Sequence, residues 1–340
     1  MSRLPPLWRN KVRRVPPCVL LSQNNCFMKT LRIGTRGSEL ALAQTRLVMA
    51  ALQARYPELR CEYTVISTAG DQRTDIPLHR VNAVTGTGDK GVFIATIEEA
   101  LARGEIDCAV HSLKDMPGVL DSRFCLAAVL PRESVQDVLV EKVGADMSAP
   151  VIATGSVRRM QLVQSYWKGK ARTVPVRGNV ATRLRKLAEN PEVSATLLAR
   201  AGLNRLGYGN SIVVNGVELV ARDLPVDAFP PALGQGAIAV ETRADDAAAT
   251  ALISAVNHAQ TYRCISCERA FLSLLNADCS VPVGGNAREE SDGSLRMHVV
   301  YYTPQGRCVS LERTFAPDAA ESAVAAAMYE ALCAELKSDA

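Results

Sequence analysis

Hydrophobic and polar positions alternate in short runs that switch repeatedly between a strand period and a helix period. Leu31-Arg-Ile-Gly-Thr-Arg-Gly-Ser38 reads as a strand ending in a glycine turn. Ser38 then suits the N-cap of a helix over Glu39–Tyr56, where Leu40, Leu47 and Ala51 recur at helical spacing and Pro57 lies beyond the end. A strand over Glu62–Thr68 follows, then a polar, glycine-rich loop from Ala69 to Lys90, a helix Val92–Ala102, and a covered strand Ile106–His111. A second round begins near Asp137. It predicts strands at Val151–Thr154, Thr173–Val176 and Ala195–Ala199, with helices at Val157–Trp167 and Val180–Leu187. Strand, turn, helix, strand at this spacing is a βαβ pattern, so the sheets should be mixed or parallel. Pro230–Ala237 reads as a crossover back to the first domain. Beyond about Ala259 come two helices, one before Cys279 and one at Asp318–Leu336, enclosing a hairpin over Leu295–Phe315 that turns at Pro304-Gln-Gly306.

Composition narrows the class. The chain has 340 residues, 48% of them hydrophobic, enough for two or three domains with real cores. No apolar run approaches the roughly 20 residues of a membrane span, so a soluble fold without a membrane role is expected. Net charge is +4, but residues 1–27 carry five basic side chains and no acidic one, leaving −1 for the remainder. That balance gives no support to nucleic-acid binding. Residues 1–27 lack the apolar core and cleavage site of a secretory signal. They read as a disordered extension or an unused upstream start, with a transit peptide as the weaker alternative. Ten cysteines spread over the whole length of such a chain favour reduced thiols in the cytoplasm.

Candidate chemistry gathers at the turns. Cys279 stands in the loop Asn276–Gly285, after a helix end and before Pro282 and Gly284-Gly285, where a thiol can point outward or pack as a small hydrophobe. Arg36, Arg158, Arg159, Arg177, Arg183 and Arg205 fall at strand ends or in first helical turns. Singly, each could be an ordinary surface arginine. Together with helix N-termini they make a site suited to several carboxylates or phosphates. His111-Ser-Leu-Lys-Asp-Met-Pro117 follows a buried strand and sets Lys114 beside Asp115, either as a loop ion pair or as a carboxylate that opposes developing positive charge. Cys264 and Cys267 form an i, i+3 pair within a helix, a poor zinc site, and no metal is expected there or elsewhere. His79 and His298 show no visible partner. Gly86-Thr-Gly-Asp-Lys-Gly91 lacks the spacing of a phosphate loop.

These segments resemble the porphobilinogen deaminase (hydroxymethylbilane synthase) family from Leu31 to the C-terminus. The matching stretches are Ile33–Ser38, Gly88–Gly91, His111–Pro117, Gly155–Arg159, Arg177–Leu184, Ala201–Gly207, Pro231–Ala237, Glu268–Phe271 and Cys279–Gly284. The resemblance implies two periplasmic-binding-protein-like α/β domains and a small α+β domain. In this chain they would cover 28–130 with 237–258, then 131–236, then 259–340. It implies a dipyrromethane cofactor held by a thioether to Cys279, on which four porphobilinogen units are joined head to tail with loss of ammonia. Asp115 would be the catalytic carboxylate. Arg36, Lys114, Arg158, Arg159, Arg177, Arg183 and Arg205 would hold acetate and propionate groups. Ser38, Thr154 and Ser156 would add polar contacts, and Lys90 would belong to the active-site loop. A cytoplasmic monomer that hands its product to uroporphyrinogen-III synthase is also implied.

The chain departs from the family pattern in three places. Ala277-Asp278 replaces the usual Gly-Gly before the cysteine, the loop before Gly88 is longer with Arg80 near a usual lysine, and Ser194-Ala-Thr196 replaces the commoner Asp-Ala. A solute-binding protein for an anionic ligand would share the architecture but predicts a signal peptide and has no need of Cys279, and Asp278 leaves open a paralogue that has lost activity.

Overall fold

The computed structural model describes residues 28–67, 94–276 and 281–337. The expected extension 1–27, the glycine-rich loop with Lys90, and Ala277, Asp278 and Cys279 lie outside the described residues. The chain opens with β1 (Thr30–Thr35), α1 (Glu39–Arg55), β2 (Arg60–Val65), α2 (Ala95–Ala102), β3 (Cys108–Ser112) and β4 (Phe124–Val129). It crosses into β5 (Asp137–Lys142), β6 (Val151–Ala153), α3 (Val157–Tyr166), β7 (Arg172–Val174), α4 (Val180–Glu189), β8 (Ala195–Ala199), α5 (Arg200–Arg205), β9 (Ser211–Val214) and β10 (Val217–Asp223). It returns as β11 (Ile238–Arg243) and α6 (Ala247–Ser254), then runs through α7 (Ala259–Leu275) into β12 (Val283–Glu289), β13 (Leu295–Tyr302), β14 (Cys308–Phe315) and α8 (Glu321–Lys337).

Three sheets result, with strand orders β2-β1-β3-β11-β4, β7-β6-β8-β5-β10-β9 and β12-β13-β14. The first two are mixed, as the βαβ spacing predicts. β1 runs parallel to β2 and β3, and β6 runs parallel to β7 and β8, while β11 and β5 are antiparallel insertions. Parallel strands aligned this way bring the turns after β1, β3, β6 and β7 to the carboxyl edges where ligands bind in such folds. The third sheet is wholly antiparallel and packs one face on α7 and α8, through Met297, Val299, Phe271 and Met328 among others.

Local sequence explains most element ends. Ser38 and Ser156 cap α1 and α3 by accepting from the amides of Ala41 and Arg159, and Asn179 caps α4 by accepting from Thr182. Two readings need correction. Gly284 and Gly285, expected in a loop, belong to β12, where a side chain on Gly284 would sit 2.9 Å from the Pro230 carbonyl. Their smallness serves close packing of the third sheet on the return crossover, and Gly285 donates its amide to Pro231 at 2.7 Å. Arg205, expected near a helix start, is instead the last residue of α5.

Two crossovers, residues 130–136 and 224–237, run side by side between the first and second sheets. Glu133 donates its amide to the Gly236 carbonyl at 3.1 Å, and Arg132 donates Nε to Gln235 at 2.9 Å. Gly236 has φ +88° and lies against the Glu133 carbonyl, so any side chain there would clash. Glu268 of α7 fastens the third domain to both crossovers. Its buried carboxylate accepts from Arg132 at 2.6 and 3.0 Å, from the Gly234 amide at 2.5 Å and from the Ala287 amide at 2.7 Å.

Candidate active site

Asp115 ends a single 3-10 turn, Leu113–Asp115, that follows β3 directly. β3 is fixed by pairing with β1 and β11 and by His111, whose Nε2 lies 3.1 Å from the buried Glu241 carboxylate. The strand therefore delivers Lys114 and Asp115 to the joint between the first two domains. There Lys114 donates to Gln235 Oε1 at 3.2 Å, and Gln235 donates Nε2 to Asp137 at 2.9 Å and to the Val135 carbonyl at 2.7 Å.

Asp137 is fully buried at the start of β5 and holds both adjacent arginines of α3. Arg159 donates to its two oxygens at 3.2 and 2.7 Å, and Arg158 approaches at 2.8 Å. Arg159 also donates to the Leu197 carbonyl, and Arg158 to that of Pro230. Burial alone would raise the Asp137 pKa, but the two guanidinium charges and the hydrogen bonds from Arg159 and Gln235 hold it well below the usual carboxylate range. Arg158 and Arg159, expected chiefly as ligand-binding groups, thus also form the floor of the site through Asp137.

Two cations beside this floor, Lys114 and Arg183, are desolvated and face like charges. Desolvation, then Arg159, push the Lys114 ammonium down to about 8, against the pull of Asp115 and Asp137. Desolvation also pushes Arg183 down to about 10, helped by Arg159 and Arg177 and opposed by Asp115. Arg183 donates Nε to the Gly178 carbonyl at 2.8 Å, which aims it back toward the turn after β7. Among the described residues, four cations (Lys114, Arg158, Arg159, Arg183) and two carboxylates (Asp115, Asp137) share the cluster, a surplus of two positive charges. Buried charge in such excess is costly, and an anionic ligand offsets the cost.

Other expected residues sit around this cluster. Thr154 is buried at the end of β6 and accepts from the Ser156 amide at 3.2 Å. Ser156 Oγ is engaged by the Arg159 amide. Arg36 and Ser38 lie at the carboxyl end of β1, beside β3, and Gln44 of α1 bonds Ser112 at 2.9 Å. Arg205 is set apart against the return crossover: it donates to the Gly236 carbonyl at 2.6 Å, and desolvation pushes it down to about 10 against the pull of Glu133. Lys90 and Cys279 lie outside the described residues, though α7 ends at Asn276 in a left-handed conformation just before Cys279. Cys264 and Cys267 are buried in α7, and burial pushes their thiols up to about 11 and 12, which suits core packing. Asp137 and Gln235 were not singled out from sequence. The glycines on both sides of Gln235 were the available signal.

A surplus of cations around two carboxylates, at the joint of two α/β domains, agrees with the comparisons to known proteins. A family model described as "Porphobilinogen deaminase, dipyromethane cofactor binding domain" matches residues 31–251. A second, "Porphobilinogen deaminase, C-terminal domain", matches residues 262–328. A relative named porphobilinogen deaminase from Alkaliphilus metalliredigens is 37% identical over 84% of this chain and 86% of its own length. Another from Shouchella clausii is 39% identical over 84% of this chain and 88% of its own. One from Nitrobacter hamburgensis is 43% identical over 76% and 79%.

Proposed function

This chain belongs to the porphobilinogen deaminase family, and from that premise we propose that it joins four porphobilinogen molecules head to tail into hydroxymethylbilane, releasing ammonia at each addition. It is a transferase of tetrapyrrole biosynthesis on this reading. The observation that carries it is the surplus of positive charge around Asp115, which fits a growing chain whose every pyrrole brings two carboxylates. The same surplus fits a dipyrromethane cofactor, which when bound supplies the end to which the first substrate is added.

The residues divide the work. Arg183, Arg177 and Lys114 bind acetate and propionate groups, and for Arg183 and Lys114 each such contact offsets desolvation and the push of neighbouring cations. Arg158 and Arg159, held by Asp137, add a fixed positive wall that costs little reorganisation when an anion enters. Arg36 and Ser38 extend the site along the edge of β1, Thr154 and Ser156 along that of β6, and Lys90 and Arg205 complete the binding set. Asp115 opposes the positive charge that develops on a pyrrole nitrogen as ammonia leaves and the next bond forms. A carboxylate fixed at a strand end acts more on that charge than on the neutral ground state, which is the condition for catalysis. Cys279 is the attachment point, four residues past the end of α7 in sequence, and Glu268 of that helix fastens α7 to both crossovers.

Intact mass spectrometry tests the proposal. Native protein should exceed its polypeptide mass by one dipyrromethane, and Cys279→Ser should lack that increment. An unmodified wild type that still converts porphobilinogen would overturn it. We extend the reading to a cytoplasmic location, supported by the bacterial sources of the three relatives, and to a monomer that passes its product to uroporphyrinogen-III synthase. Sedimentation tests the monomer, a coupled assay the hand-over, and cell fractionation the location.

A further inference from the structure

The third sheet has a second face, turned away from α7 and α8. Its apolar end packs on the second domain, where Val300 and Tyr302 meet the fully buried Phe229 of the return crossover. Its polar end carries a row set by strand register: Asn286 on β12 pairs with His298 on β13, and His298 pairs with Glu312 on β14. Asp227 of the return crossover lies over this row. One ring nitrogen of His298 and one carboxylate oxygen each from Asp227 and Glu312 lie within 4.8 Å of one another.

His298 is only 9% exposed. Its Nε2 is engaged with Ser310 Oγ at 3.1 Å, whereas Nδ1 is enclosed and has no hydrogen-bond partner among the described residues. A buried ring nitrogen left this way costs free energy, and His298 lines a small pocket together with Asp227, Asn286, Arg288, Arg296 and Glu312. Asp227 and Glu312 are exposed, so an ion reaches the site from solvent.

We propose that Asp227, His298 and Glu312 bind one divalent first-row transition ion, with Zn²⁺ the prime candidate, His298 ligating through Nδ1 and water filling the fourth position. The Nε2–H then donates to Ser310, an outer contact that fixes the tautomer and ring orientation. Imidazole with two carboxylates selects zinc, cobalt or nickel over magnesium or calcium, which prefer all-oxygen sets. At zinc bond lengths of about 2.1 Å the donors stand roughly 3.4 Å apart, so the two exposed acidic side chains need move only by about 1 Å. Arg296 competes for Glu312 through an ion pair at 2.5 Å, but both partners are more than a third exposed and such a pair is weak. An anion on Arg288 and Arg296 is disfavoured, because Glu290 and Glu312 already pair with them. The ion would fasten the third domain to the crossover that supplies the Pro230 carbonyl to Arg158.

Co²⁺ titration of the full-length protein tests this site apart from the thiols. One equivalent should give d–d absorption without thiolate charge-transfer bands, and Zn²⁺ should displace it. Asp227→Asn and Glu312→Gln, both at exposed positions, should each weaken that equivalent tenfold or more. Saturating Zn²⁺ should raise Tm in wild type and not in either variant. Absence of an equivalent free of thiolate bands, or one that either variant leaves unchanged, overturns the proposal.

Discussion

Asp137 receives Arg159 through both carboxylate oxygens, Nε at 3.2 Å and Nη2 at 2.7 Å, with the pair buried and close enough to Lys114 to act on its charge. Removing one partner of such a pair strands the other charge. Asp137→Asn should therefore lose about 3–5 kcal/mol, read from the urea midpoint, because Arg158 and Arg159 both lose their counter-charge. The folded-state pKa of Asp137 is depressed, so its contribution is present above the ordinary carboxylate pKa of about 3.9 and fades below it. The gap between wild type and variant should accordingly shrink as pH falls from about 4. A constant gap across that range contradicts the assignment.

Glu268 gives the second stability prediction. It accepts four hydrogen bonds from three segments, two of them backbone amides that cannot turn away. Glu268→Gln turns an amide NH₂ toward those donors and removes the charge opposite Arg132. The cost should reach about 3 kcal/mol by denaturant unfolding, with faster amide exchange in β12. A loss under about 1 kcal/mol would show that the third domain is held elsewhere.

Lys114 predicts a pH profile. Its pKa in the ligand-free cleft is lowered to about 8, so it sheds its proton there while the guanidinium groups stay charged. Capture of the anionic substrate, read as kcat/KM, should fall as pH rises past about 8. Lys114→Gln should have a lower plateau without that limb. Bound carboxylates favour the protonated amine, so the corresponding limb in kcat should lie at higher pH. A wild-type kcat/KM flat to about pH 10 contradicts this role.

Cys264 and Cys267 pack in the third core beside Phe271 and Met297. Replacing either with alanine should cost about 1 kcal/mol of stability while intact mass and turnover stay those of wild type. Stoichiometric zinc lost together with activity in either variant would reverse that reading.

Much of the fold was legible because period and punctuation agree: Ser38, Ser156 and Asn179 cap the helices that their positions predict. β8 matches its expected span of Ala195–Ala199. Gly284 and Gly285 misled because glycine in a strand looks like a turn until the backbone packed against it is known. The cationic set was readable one residue at a time. Its partner Asp137 was not, since it stands 21 residues before Arg158 and nothing local marks it as their counter-charge. His298 was opaque for the same reason, because Asp227 and Glu312 meet it only across strands and domains.

The central claim is that Asp115 is the carboxylate on which turnover depends, and steady-state kinetics of Asp115→Asn test it most directly. Asparagine keeps the size of the side chain and one acceptor oxygen but removes the charge. An interaction stronger in the transition state than in the ground state lowers kcat when lost, while a uniform binding loss raises KM. The account predicts a variant that still carries its cofactor and still captures porphobilinogen, with kcat reduced by roughly 10²–10³. A near-normal kcat would contradict it.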